Sequence, residues 1–165
     1  MKKLKTTIKD FLSESEHNDL WYHGGNSHIE SFELKPTINR RGNVEGFYFT
    51  KLLDKAKSYG DIITIAKLNI KNPYILGKDK PSYEMIEEYK KELHKEDPHL
   101  PIDGNWILDK AWDFMDKGIM PFTGMSGKAQ QNVYKAGGFD SVLDGNEIAV
   151  FNPSDIVIYD TIYTE

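Results

Sequence analysis

An α+β fold is what this sequence predicts, on three observations. Strand-like runs gather at both ends of the chain, with a helical block between them. The runs differ in pattern, some aromatic and some alternating. No regular strand–helix alternation of the kind that builds a parallel sheet is present.

The elements follow in chain order. Leu4, Ile8, Phe11 and Leu12 share one face of a short amphipathic helix over residues 3–17, followed by the polar run Ser13 to Glu16. Leu20, Trp21 and Tyr22 form a short strand halted by Gly24 and Gly25. Residues 46–50, Gly-Phe-Tyr-Phe-Thr, read as an aromatic strand. Thr50 then caps a helix through Leu53, Ala56 and Tyr59 that Gly60 ends. Residues 62–70 are the strongest strand, continuous at first and alternating after. Asn72-Pro73 turns the chain. Helices are expected over 82–95, 105–116 and 127–136, the last closed by Gly137-Gly138. Strands over 139–143, 148–151 and 156–163 complete the chain. The expected division is a helix or tail over 1–17 and one domain over 18–165, with a helical insertion at about 76–126.

Composition narrows the function. The 165 residues, 39% hydrophobic and 28% charged, suit one globular domain with a core of its own. Without cysteine there is no disulfide framework, thiol nucleophile or thiolate zinc site. No apolar run reaches the ~20 residues of a membrane span. The basic start, Met1 to Lys5, is not followed by an apolar stretch or cleavage site, so a cytoplasmic location is expected. A net charge of -5 gives no global basic field for nucleic acid, and Arg40 and Arg41 are the only arginines. No phosphate-binding loop or dinucleotide glycine fingerprint is present. His94, Asp97 and His99 read as loop polar groups rather than a metal site, and Ser126 as a helix start rather than a nucleophile elbow.

Three segments stand above this background. Trp21-Tyr22-His23-Gly24-Gly25 puts a histidine at a strand end, where glycines leave the main chain open to a ligand. The second runs from Gly46 to Thr50 with Ala56 and Tyr59, where Tyr48 and Tyr59 offer two rings for a flat aromatic ligand or for the core. The third is Asp144 to Pro153, in which Glu147 opens an apolar strand, either exposed at its end or aimed into a cleft.

In order and residue type these segments resemble the ADP-ribosyltransferase family of the diphtheria toxin and poly(ADP-ribose) polymerase type, with its His-Tyr-Glu triad. The carrying residues are Tyr22-His23-Gly24, then Gly46-Phe47-Tyr48-Phe49-Thr50 with Ala56 and Tyr59, then Glu147. Residues 136–142 and 151–156 look like small bacterial and phage members. The likeness spans roughly 20–70 and 128–158 and leaves 76–126 unexplained.

The resemblance implies two small packed, mostly antiparallel sheets with peripheral helices. It implies cleavage of NAD at the nicotinamide–ribose bond without a metal, and transfer of one ADP-ribose to a macromolecule. Glu147, His23 and Tyr48 would be catalytic. Glu147 would hold the ribose 2′-hydroxyl, and Tyr48 and Tyr59 would stack on nicotinamide. His23 would bond the adenosine ribose, and the Gly24 main chain would hold the carboxamide. Thr50 and Arg41 complete the expected NAD-binding set. Ala56 stands where polymerase-type members have a serine that holds the carboxamide. Tyr22-His23 in place of an arginine, with Gly145 two residues before Glu147, disfavours the arginine-directed branch. A protein acceptor fits the acidic charge better than nucleic acid, and an effector, toxin or phage-type enzyme is the expected role. The alternatives are a catalytically silent NAD- or ADP-ribose-binding module, an RNA 2′-phosphotransferase of the same superfamily, and an interaction domain.

Overall fold

The computed structural model describes residues 19–33, 43–99 and 125–164. Its elements are β1 (Leu20–Gly25), β2 (Phe47–Thr50), α1 (Leu53–Lys57), β3 (Ile62–Leu68), β4 (Pro73–Ile75), α2 (Tyr83–Glu96), α3 (Gly127–Ala136), β5 (Ser141–Asp144), β6 (Glu147–Val150), a 3-10 turn (Pro153–Asp155) and β7 (Ile156–Tyr163). The α+β class therefore holds. The expected helices over 3–17 and 105–116 lie outside the described residues.

One expectation is corrected. Among the described residues the strands do not form two small sheets but one seven-stranded sheet, in the order β4-β5-β6-β2-β1-β3-β7. All neighbours are antiparallel except β4 and β5. The join lies between β1 and β2. β1 pairs with β3 from Leu20 to Gly25, but meets β2 at Tyr22 and Thr50. That contact makes one sheet of two otherwise fully paired halves.

Local chemistry explains the other differences. Gly24 and Gly25 do not halt β1, because their main chains pair with Ile63 and Ile62. Thr50 is not the cap of α1. It ends β2, and its hydroxyl accepts the Leu52 N–H at 3.1 Å, so the helix begins at Leu53 behind an uncapped Leu52. Tyr59 lies beyond the helix, in the turn its N–H closes on Ala56 O at 3.1 Å. Pro73 starts β4, where a missing N–H is tolerated on an edge strand.

The helices are built as their sequences suggest. Ser82 and Ser126 cap α2 and α3, accepting the N–H groups of Met85 and Ala129 at 3.4 and 3.2 Å. Met85, Tyr89 and Leu93 recur at helical spacing on α2 and pack with Ala129 and Val133 of α3 over Tyr74 and Val142. A second cluster joins Leu20, Tyr22, Ile63 and Ile65 to Ala56 of α1. On the reverse face Phe49, Ala66, Ile148 and Val150 form a third. No helix among the described residues is long and apolar enough to cross a membrane.

Candidate functional site

Register assembles the site. Directly opposed residues of antiparallel strands point to the same face. Asp144 opposes Glu147, Glu147 opposes Thr50, and Thr50 opposes Tyr22, so the four form one row across β5, β6, β2 and β1. Tyr48, opposite Ala149, stands on the same face two residues from Thr50 along β2. Phe49 and Ile148 turn to the other face, into the third cluster. The β5–β6 turn fixes where the row begins. Gly145 takes a φ of +56° at the first position of a two-residue hairpin, which places Glu147 at the first residue of β6.

α1 crosses this face over β1. A Cβ on Gly24 would lie 1.8 Å from Ala56 O, so the helix rests directly on the strand main chain. Ala56 is fully buried with Leu20, Tyr22 and Ile63, so the serine hydroxyl of the polymerase-type pattern has no counterpart here.

His23 alternates to the other face. Its ring lies edge-on to Phe32, with centroids 5.4 Å apart, and tilted against Phe49 at 5.6 Å. Nδ1 stands 2.7 Å from Tyr48 O. A carbonyl only accepts, so Nδ1 carries the proton, and in the neutral ring Nε2 is left as an acceptor. The His23 side chain thus satisfies a carbonyl of β2 at the junction where β1 and β2 meet.

Electrostatics tie the remaining groups together. Lys55 Nζ of α1 lies 2.7 Å from Glu147 Oε2. The hydrogen bond to Glu147, with the charge behind it, holds the Lys55 ammonium above its ordinary pKa. The Tyr48 hydroxyl donates to Val44 O. Although Tyr48 is 44% exposed, burial of its hydroxyl, with the Glu147 charge nearby, pushes its pKa up to about 12. Burial also raises that of Tyr22. Tyr59 is 57% exposed and lies near Lys55.

Of the residues singled out from the sequence, Tyr48, Thr50 and Glu147 share one sheet face, with Gly24 and Tyr59 at the α1 end of it. His23 reaches the same point from the reverse face, through the Tyr48 main chain. Arg41 lies outside the described residues. Lys55 was not legible in the sequence. It is one of three lysines between residues 51 and 57, and only the fold turns it onto Glu147. Among the described residues no group of three His, Asp or Glu side chains is placed to hold a metal ion. Comparison of the chain with protein-family models, with curated proteins and with solved structures finds no match.

Proposed function

We propose that the protein is a mono-ADP-ribosyltransferase that cleaves NAD at the nicotinamide–ribose bond and passes the ADP-ribosyl group to a protein. One observation carries the reading. Residues 23, 48 and 147, far apart in the chain, gather around the β1/β2 junction, Tyr48 and Glu147 on one sheet face and the His23 ring on the other against the Tyr48 carbonyl, in the order and with the residue types of the His-Tyr-Glu pattern.

Each group has chemistry suited to the reaction. As the C1′–N1 bond breaks, nicotinamide leaves with the electron pair and positive charge grows on the ribose. A carboxylate held beside that carbon stabilises the charge most in the transition state. Glu147 is such a carboxylate, fixed at a strand start by its hairpin and at Oε2 by Lys55. His23 Nε2 suits a ribose hydroxyl, which donates to it. Tyr48, neutral at every physiological pH, offers a ring face to nicotinamide. Thr50, opposite Glu147, lines the same row.

The test is nicotinamide release from NAD by wild type and by Glu147→Gln, with and without lysate protein. The variant should lose about 100-fold or more in turnover. It should keep the rise in melting temperature that saturating NAD produces, about 2.7 kcal/mol of stabilisation at 100 times Kd. Wild-type turnover in Glu147→Gln would overturn the assignment. NAD-induced stabilisation without nicotinamide release would leave a silent binding module.

A further inference from the structure

Among the described strands the sheet ends on β7, eight residues long and rich in β-branched and aromatic side chains. The other edge, β4, has three residues and begins at Pro73, which makes it a poor template for a further strand. Hydrogen bonds orient β7. Asn69 N–H donates to Asp155 O at 2.8 Å and Thr164 N–H donates to Asp61 O at 2.7 Å, so Asp155 and Thr164 turn their main chains to β3. Alternation along the antiparallel ladder then turns those of Ile156, Ile158, Thr161 and Tyr163 outward. Val157, Tyr159 and Tyr163 are each at least half exposed, so the strand is open to solvent.

Two features interrupt this edge. Ala66 opposes Ile158 and Ile65 opposes Asp160, so Tyr159 is an extra residue, a bulge. It separates the outward groups of Ile158 and Thr161 by three residues instead of two, and a regular partner strand cannot match both sides of it. Next to the bulge, Asp160 Oδ1 accepts the Thr161 N–H at 2.7 Å. The first outward donor after the bulge is therefore taken, and by a carboxylate that repels the carbonyl of an incoming strand.

We propose that Asp160, with the bulge at Tyr159, keeps β7 from pairing with the β7 of a second copy, and so holds the chain monomeric. An identical strand is the partner this edge fits best. Two copies meeting about a two-fold axis pair antiparallel, each offering the donors and acceptors that the other needs. Both then bring an Asp160 to one seam, where like charges oppose each other. The net charge of -5 acts in the same direction, but salt screens it. The Asp160–Thr161 bond is a direct contact and survives in salt.

The test measures the mass of the full chain by light scattering and sedimentation across a concentration series, at low and high salt. Wild type should be monomeric in both. Asp160→Thr frees one N–H in each copy and removes both charges, so self-association should tighten by about 10- to 100-fold. Adding Thr161→Pro removes that N–H, which bonds nothing on β3, and should return the protein to monomer. Thermal melts report whether each variant folds, and Asp160→Ala, a smaller change, replaces Asp160→Thr if that variant does not. Three results overturn the proposal: dimeric wild type, a folded Asp160 variant that associates no more than wild type, or association that persists with Thr161→Pro.

Discussion

Gly24→Ala tests the packing on which the site depends, and Gly25→Ala is its internal control. Neither glycine has a positive φ, so alanine adds a methyl group without backbone strain at either position. At Gly25 the nearest heavy atom to the new Cβ is His23 Nε2 at 4.0 Å, ordinary contact. At Gly24 the new Cβ falls 1.8 Å from Ala56 O and 2.7 Å from Ala56 C. Those atoms belong to the main chain of α1, so the helix must move by more than 1 Å to clear the methyl. Replacing glycine by alanine where the backbone allows it stabilises by about 0.4–1 kcal/mol through the unfolded chain. Overpacking typically costs about 1–3 kcal/mol, and a main-chain collision belongs at the upper end. That gain is common to both variants, so Gly24→Ala should lie about 2–3 kcal/mol below Gly25→Ala. For a chain of this size that separates the melting temperatures by roughly 4–12 °C. Displacement of α1 also carries Lys55 away from Glu147, so the nicotinamide release proposed above should fall with stability in Gly24→Ala. Urea unfolding of the two variants side by side is the assay. Equal midpoints would refute the close seating of α1 on β1.

Two further outcomes are expected. Tyr48 and Tyr74 each have a pKa raised to about 12, and that of Tyr134 is raised as well, each chiefly by burial. These groups ionise more readily in the unfolded chain, so their contribution is complete below about pH 10 and is lost as pH rises toward about 12. Midpoints measured between pH 8 and 12 should fall only above pH 10, and a steady decline from pH 8 would contradict this cause. Thr64 is buried with an unpartnered hydroxyl, so Thr64→Val should raise stability by about 1 kcal/mol, and a loss in thermal unfolding would point to a partner that this geometry lacks.

Several elements could be read directly from the chain, because they rest on local chemistry. Ser82 before Met85, Tyr89 and Leu93 specifies α2, and Ser126 before Ala129 specifies α3. The continuous apolar run from Ile62 specifies β3. Glu147 at the head of an apolar run marks the start of β6. The same local signals mislead at β1, where glycines that suggest a stop are instead held by pairing with β3. They also mislead at Thr50, whose hydroxyl serves the turn before α1 rather than its cap.

The sequence by itself determined the α+β class and most of the strands and helices, which follow from periodicity and capping residues, and it offered His23, Tyr48 and Glu147 as candidates through the family resemblance of their motifs. Only the tertiary structure decided how they meet. Which strands become neighbours depends on pairings between residues far apart in the chain, and no local pattern encodes them. The join at Tyr22 and Thr50, the parallel contact of β4 with β5, and the row from Asp144 to Tyr22 all arise in this way. The Lys55–Glu147 pair does too, because it requires α1 to lie on Gly24 while β6 runs beside β2.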